Sequence, residues 1–486
     1  MAMIFRAALL STLATGLAFP AARAQRADTL RLGIADAVAY YLRSSDENKL
    51  ALLAVDAADA AVTTARATGL PQMRLTGSYQ QVLKNARAEM VSNVFGQSYT
   101  YQSVLNTSQT VFQGFRIFSA TRAAGRASSA ARFDAGETRA RLAVDVQRTY
   151  LNALYLAKIA ELQERNLALS TARLEQVEQL AAAGRASRYD ILRARVDRSN
   201  IEPLALQARS DREIALYDVK RMLDLPMDRP IALSTSLDTG VVAAIVRATA
   251  SDTAPEAIRG SVRAAELSLL AKRDGIRVAR ADFFPQLSVS FNQGYLALPT
   301  VNGLPNRLGE TSLSFCPQPV AAGTRPCHNN GFFPDRSFNV QMSWPLFDGL
   351  RAKGNLEAAT AQAKIAEVVL HQQREQAALD LARARAEFDR ARLAFSARAQ
   401  NSVEAEEAFQ LASLRFSRGL ATQLEVSDAQ VALLTARSTE ARATYDLYLA
   451  VAELARVRGR PIPLPTGGTV PVRSNTGLSP GASVPR

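Results

Sequence analysis

The chain has 486 residues, of which 48% are apolar but only 7% aromatic. This balance favours closely packed helices over a bulky globular core, because most of the apolar content is Ala, Leu and Val. The net charge is +13, yet Arg alternates with Asp, Glu and Ala, as at 382–399; we interpret these runs as solvated helix faces and expect no nucleic-acid partner.

The N-terminus has the pattern of a secretory signal peptide. Arg6 precedes an apolar run from Ala7 to Phe19, and Ala22-Arg23-Ala24 supplies a cleavage site. We therefore predict a signal peptide over 1–24 and export from the cytoplasm. A membrane anchor is less favoured, because the run is too short to span a bilayer. Beyond it the sequence contains no apolar run of bilayer length.

The rest of the chain is an internal duplication. TVFQGFR (110–116) aligns with PLFDGLR (345–351), 235 positions later, and the same offset aligns Pro226 with Pro461. The sequence therefore predicts two structural repeats. We assign them to 25–226 and 254–461, with a connecting region at 227–253. The tail, 462–486, is rich in Pro, Gly and Ser, and we predict that it is disordered.

Each repeat is predicted to contain two short strands. The clearest alternation of apolar and polar residues lies at 287–292 and 338–344, and weaker patterns lie near 72–84 and 98–112. Each segment has about the ten residues that a tilted strand needs to cross a hydrocarbon core. Four strands are too few to close a barrel, so a membrane domain would need several chains. A soluble, half-buried sheet is the alternative.

The second repeat contains an insertion, which the offsets place at 293–337. It holds both cysteines, Cys316 and Cys327. In an oxidising compartment these are predicted to form one local disulfide. A metal site that adds His328 is a weaker alternative, since it lacks a fourth ligand.

Long helices are the strongest signal. The run from Arg351 to Phe416 lacks proline and would extend about 98 Å. A heptad of large residues recurs along it, with small residues three positions later, which predicts a close-packed coiled coil; the large residues are Leu381, Phe388, Phe395, Phe409 and Phe416, with Ser402 in the remaining position.

Each long helix is predicted to turn back on itself at a capping box. Ser187 and Asp190 form the first, near 184–190, and Thr422 and Glu425 form the second, near 419–428. In such a box the hydroxyl accepts a hydrogen bond from the backbone three residues on, while the acid reaches back. Gly184 and Gly419 suit the left-handed ends of the preceding helices.

The sequence offers little for catalysis. We find no phosphate-binding loop, HExxH or GxSxG motif, and His371 is most simply a surface residue. We therefore expect no enzyme activity, no cofactor and no metal. Glu425 and Asp428 share one face of a helix start. They have two equally favoured interpretations: stabilisation of the helix dipole, or a ring of carboxylates at a pore mouth that favours cations.

Taken together, these motifs resemble the TolC family of outer-membrane efflux and secretion ducts. The resemblance covers the chain to about residue 461. It depends on the duplication, the strand junctions LPQMRL and FPQLSV, the F-x-G-x-R elements at Phe112–Arg116 and Phe347–Arg351, and the two hairpin turns.

The resemblance implies a fold and an assembly. The fold would be mainly α with a small antiparallel β part. Three copies would form a long coiled-coil barrel of helices and, with four strands per chain, a trans-subunit transmembrane β-barrel. The expected location is the outer membrane of a Gram-negative bacterium, extending into the periplasm. The expected partners are two further copies, outer-membrane lipid, a periplasmic adaptor, and an inner-membrane transporter of the RND or ABC type.

The resemblance also assigns site residues. Glu425 and Asp428 match acidic positions of the periplasmic gate, and Asp190 matches an acid of the latch between helices. Phe416 and Ala421 replace the Tyr and Arg that are common in that latch, so Arg185, Arg188 or Arg418 would have to substitute. The hairpin turns, which comprise Gly184, Ser187, Asp190, Gly419, Thr422 and Glu425, would contact the adaptor.

The leading hypothesis is therefore a passive exit duct for tripartite efflux or type I secretion, opened by its partners. The alternative is a periplasmic coiled-coil scaffold or surface adhesin that does not conduct.

Overall fold

The computed structural model describes residues 29–84, 99–235, 245–247, 249, 258–297 and 332–460. Three predictions lie outside those residues: the signal peptide, the pairing of Cys316 with Cys327 and its metal-site alternative, and the disordered tail.

The described chain is mainly helical with a small antiparallel sheet, which confirms the predicted fold class. Its elements are β1 (Leu30–Leu32), α1 (Ile34–Ser44), α2 (Asp46–Ala67), β2 (Gln72–Gln81), β3 (Tyr99–Gln113), α3 (Arg116–Ala182), α4 (Arg188–Met222), β4 (Ile231–Leu233), α5 (Gly260–Arg280), β5 (Gln286–Ala297), β6 (Phe333–Ser343), α6 (Arg351–Ser417) and α7 (Gln423–Val457). None of these helices is long and apolar enough to span a bilayer.

The duplication extends to the backbone. Helices α3 and α6 each have 67 residues, and α4 and α7 each have 35. Residues with positive φ also recur 235 positions apart: Phe115 (61°) with Leu350 (69°), Gly184 (71°) with Gly419 (72°), and Asp224 (51°) with Gly459 (67°). The two halves therefore make the same turns, even where a non-glycine residue must adopt the left-handed conformation.

The helices form two rows of four, one above the other, and the long helices α3 and α6 run through both rows. At 1.5 Å per residue, α3 and α6 are each about 100 Å long. Along the halves next to the strands, contacts give the order α2, α3, α5, α6; along the halves next to the turns, the order is α4, α3, α7, α6. The sheet is also a row of four, in the order β2, β3, β5, β6. Each row therefore ends with one element from the first repeat and one from the second.

The core lies midway along the long helices. Tyr150, Leu151 and Leu447 are fully buried there, and the Tyr150 hydroxyl donates to the Leu32 carbonyl at 2.7 Å. The predicted coiled-coil seam on α6 also faces inward, since Phe388 and Ala391 are buried in the same cluster. Close packing of large against small side chains thus joins α6 to the rest of the chain.

Two boundaries differ from the sequence prediction. The loop placed at 293–337 is too wide, because β5 continues to Ala297, β6 begins at Phe333, and the two strands pair as far as Leu296 and Phe333. The alignment of repeats could not show this, since the extra residues lengthen the hairpin itself. The connecting region contributes β4, which pairs in parallel with β1; three-residue strands are too short for alternation to reveal.

Candidate functional site

The first hairpin turn, between α3 and α4, is a closed hydrogen-bonded unit. Gly184 has φ +71°, and the Arg185 N–H donates to the Leu180 carbonyl at 2.8 Å. The Ser187 hydroxyl accepts from the Asp190 N–H at 3.2 Å, and the Asp190 carboxylate accepts from the Ser187 N–H at 2.9 Å. The capping box predicted from the sequence is therefore present.

The second turn, between α6 and α7, repeats this geometry. Gly419 has φ +72°, and the Leu420 N–H donates to the Arg415 carbonyl at 2.8 Å. The Thr422 hydroxyl accepts from the Glu425 N–H at 3.3 Å, and Glu425 accepts from the Thr422 N–H at 3.1 Å. Arg415 lies 3.7 Å from the other oxygen of Glu425.

Both capping acids are held in the ionised form. The Ser187 hydroxyl and then the Ser187 N–H lower the pKa of Asp190. The Thr422 N–H, the Thr422 hydroxyl and Arg415 lower the pKa of Glu425. Because both shifts are downward, the stability that they contribute is complete above the unfolded-state pKa, near 4. It is lost as the pH falls through the lower folded-state pKa.

The cap at Ser187 gives a local prediction. We expect Ser187→Ala to cost about 1 kcal/mol at the start of α4, because the substitution removes the acceptor for a helix-terminal N–H. Hydrogen exchange at neutral pH should become faster at residues 188–191. Ser199→Ala, an exposed change in the middle of the same helix, is the control, and equal exchange in the two variants would contradict this role of Ser187.

Asp190 does not bridge the two hairpins. Within the described residues no hydrogen bond or ion pair joins it to α6 or α7, and its carboxylate binds the Ser187 N–H and hydroxyl. No ion pair of Arg185, Arg188 or Arg418 takes its place in that part of the chain. The polar bond that does cross near the turns is buried: Gln430 Nε2 donates to Asn166 Oδ1 at 2.6 Å.

One face of the sheet is mainly apolar and the other is mainly polar. Along β6, Phe338, Val340 and Met342 alternate with Ser337, Asn339 and Gln341. The register of the four strands places the apolar sets side by side. These side chains are exposed, at 36–72%: Met73, Leu75, Tyr79, Leu105, Phe291, Tyr295, Phe338, Val340 and Met342. The soluble half-buried sheet is thus a poor description, because the apolar face is uncovered in the described chain.

Two apolar stripes are exposed at opposite ends of the helix row next to the turns. On α4 the stripe lies within an arc of about 100°; it comprises Tyr189, Leu192, Val196, Leu206, Ile214 and Tyr217. On α6 a second heptad line, interrupted by polar residues, follows the outward face along the whole helix; its apolar members are Ile365, Val368, Leu379 and Ala382 in the half next to the strands, and Ala386, Leu393, Val403 and Leu414 in the half next to the turns. Neither stripe contains a predicted site residue, although the heptad spacing could have revealed the second.

Other candidate residues have ordinary surroundings. His371 is exposed and lies 3.5 Å from Glu375 on the same helix. Asp428 is exposed one turn beyond Glu425. Over the part of the chain that the structure covers, no three His, Cys, Asp or Glu side chains are grouped to hold a metal ion.

Comparison with known proteins gives consistent results. A family model described as outer membrane efflux protein matches residues 44–223 and 256–460. The solvent efflux pump outer membrane protein SrpC of Pseudomonas putida is 28% identical over 301 residues, which cover 60% of this chain and 57% of SrpC. The match therefore spans little more than half the length of that relative.

Two solved structures have a similar fold. VceC from Vibrio cholerae aligns with a TM-score of 0.67 at 19% identity, over 88% of this chain and 97% of VceC. A membrane protein from Pseudomonas aeruginosa aligns with a TM-score of 0.67 at 21% identity, over 88% of this chain and 93% of that protein. These likenesses concern the fold.

Proposed function

The chain belongs to the outer membrane efflux protein family and is therefore an outer membrane protein; on that premise we propose that it is the passive exit duct of a tripartite efflux or secretion system. Three copies form the duct. A periplasmic adaptor and an inner-membrane transporter of the RND or ABC type supply the energy and open it. SrpC, the relative from Pseudomonas putida, is a solvent efflux pump outer membrane protein, which supports efflux as the process served.

The uncovered sheet is the observation that most strongly supports this proposal. Its apolar face requires an apolar environment. Among the described residues no strand pairs with the outer side of either edge strand, β2 or β6, which leaves hydrogen-bonding groups there for another chain. Lipid can cover the face, and further copies of the sheet can pair with the edges. Three sheets would give twelve strands, enough to close a transmembrane barrel with a polar lumen.

The helices are compatible with a closed ring of copies. On α6 the buried seam contains Phe388 and the exposed line contains Ala386, two heptad positions away. At 3.5 residues per turn these lines lie about 154° apart around the helix axis. The two contact lines of each helix lie about 150° apart in a closed ring of twelve helices and about 158° apart in a ring of sixteen. Four helices per chain in each row therefore fit a closed ring of three or four chains, of which the resemblance implies three.

The contact between copies would be head-to-tail. The α4 stripe lies at one end of the row and the outward line of α6 at the other. The α4 stripe of one copy would pack against the outward line of α6 on the next copy. Such contacts form a closed ring when the rotation from copy to copy adds up to a full turn. Such a contact would cover both exposed apolar stripes.

The hairpin turns are the proposed entrance. In a threefold ring Glu425 and Asp428 would place six carboxylates near the axis, and Asp190 would lie in the neighbouring turn. The depressed pKa of Glu425 supports a charged ring at neutral pH. Gly184, Ser187, Gly419 and Thr422 shape the surfaces that the adaptor would contact.

Selectivity provides a test of this entrance. We expect Glu425→Gln combined with Asp428→Asn to lower the ratio of cation to anion permeability toward one, because the field that attracts cations is removed while Gln still caps the helix. Reversal potentials across a planar bilayer under a salt gradient measure the ratio. Glu175→Gln is the control, because Glu175 is an exposed acid about two helical turns before the end of α3. An unchanged ratio in the double variant would exclude these acids from the entrance.

The alternative is a non-conducting periplasmic scaffold or a surface adhesin. Such a protein could use the same coiled coils, but it has no need for an uncovered apolar sheet. A purified oligomer that carries no current in lipid would favour this alternative.

A further inference from the structure

The helix ends next to the sheet carry a repeated pairing of a cation with an exposed apolar residue. Arg66 lies in the last turn of α2, four residues before Leu70, and Arg280 lies in the last turn of α5, four residues before Phe284. Leu70 is 59% exposed and Phe284 is 47% exposed. The two pairs are 214 positions apart, so the duplication has kept both members.

The starts of the two long helices carry a similar pairing. Phe115 precedes Arg116, and Leu350 precedes Arg351, 235 positions later. Phe115 and Leu350 are 71% and 65% exposed. Arg116 is held by Asp282, whereas Arg351 is 75% exposed and lies 3.9 Å from Asp348. We call Arg66, Arg280 and Arg351 the basic collar.

Contacts within the described chain do not explain Arg66 and Arg280, the two collar members that lie at equivalent positions of the two repeats. The guanidinium groups of Arg66 and Arg280 are exposed, and the described chain gives neither of them a hydrogen-bond acceptor or an ion-pair partner. Cations in a last helical turn often stabilise the terminal carbonyls. Here other donors bind carbonyls nearby: Gln72 Nε2 donates to the Ala67 carbonyl at the end of α2 at 2.8 Å, and Trp344 Nε1 donates to the Phe283 carbonyl, three residues after the end of α5, at 3.2 Å.

An apolar belt lies directly beside the basic collar. Large exposed side chains concentrate where the strands meet the helices, and they include Trp344, the single Trp of the chain. Amphipathic aromatic rings of this kind favour the level of lipid headgroups. The belt continues into the apolar face of the sheet, so the basic collar lies at the depth where the hydrocarbon ends.

We propose that the basic collar binds the phosphate groups of anionic phospholipids in the membrane leaflet nearest the helices. This inference rests on the proposed function, because it requires the sheet to be in a membrane. Guanidinium groups match phosphate oxygens in charge and geometry. The neighbouring Leu70 and Phe284 would contact the acyl chains of the same lipids, which a free phosphate ion lacks.

Native mass spectrometry of the full-length oligomer tests the proposal. The protein in mild detergent is titrated with equal amounts of phosphatidylglycerol and phosphatidylcholine, and the bound lipids are counted. Wild type should prefer phosphatidylglycerol. Arg66→Gln combined with Arg280→Gln should lower that preference by about fivefold for each Arg removed. Arg139→Gln combined with Arg398→Gln, two exposed cations away from the sheet, should leave it unchanged.

Three outcomes would overturn the proposal: no preference in wild type, an equal preference in the collar variant, or displacement of the lipid by excess inorganic phosphate. Conductance of the same preparation separates this failure from failure of the proposed function. A conducting protein without lipid preference would reject the basic collar alone. A preparation that neither conducts nor prefers phosphatidylglycerol would reject both.

Discussion

Replacement of Leu206 and Ile214 by glutamate is expected to convert the protein from three associated copies to single chains. Both residues are exposed on the α4 stripe, at 67% and 55%, and both would be buried against α6 of a neighbouring copy. A buried Leu or Ile contributes about 1.5–3 kcal/mol. A carboxylate buried at either position would also lose its hydration without gaining an ion-pair partner. The change is repeated at all three contacts between copies.

The mass of the oligomer in detergent measures this effect. Wild type should have three times the mass of one chain, and the double glutamate variant should have the mass of one. Leu206→Met combined with Ile214→Val keeps the stripe apolar and should keep three copies. If the glutamate variant retained the threefold mass, the α4 stripe would not be the contact between copies.

The second large effect is expected from Asp274→Asn. Asp274 on α5 is completely buried, and three guanidinium groups surround its carboxylate. Arg122 lies at 2.8 Å, Arg126 at 2.6 Å and Arg277 at 2.9 Å, so the acid joins α5 to α3. Loss of one partner of a buried ion pair costs about 3–5 kcal/mol. Because the arginine side chains are 29–58% exposed, we expect a loss of about 3 kcal/mol, at the low end of that range.

Denaturant titration in detergent tests the role of Asp274. The free energy of unfolding should fall by about 3 kcal/mol in Asp274→Asn, because Asn keeps the shape but not the charge. Asp218→Asn removes an exposed acid 3.8 Å from Arg221 and should cost less than about 1 kcal/mol. Equal losses in the two variants would contradict the larger contribution to the free energy of unfolding that we assign to the buried carboxylate of Asp274.

The features that sequence reasoning predicts well are local. Capping boxes need only residues three positions apart, so Ser187 with Asp190 and Thr422 with Glu425 could be identified directly. The heptad on α6 is also local, and burial of Phe388 agrees with it. The duplication added strength, because the capping box was present twice at a fixed offset.

The features that it missed join distant parts of the chain. Gln430 and Asn166 are 264 positions apart, and neither residue belongs to a motif. Asp274 meets arginines about 150 positions earlier, in a chain where interleaved Arg and Asp are common. Within the described chain the carboxylate of Asp190 is bound by its own capping box, so its place in the latch between helices stays a prediction.

The proposed duct requires that copies of this chain enclose a water-filled path through a lipid bilayer. Single-channel recording of the purified wild-type oligomer in a planar bilayer tests it most directly. We predict discrete conductance steps that favour cations. Protein of threefold mass that inserts into the bilayer yet leaves the current at baseline would contradict the claim.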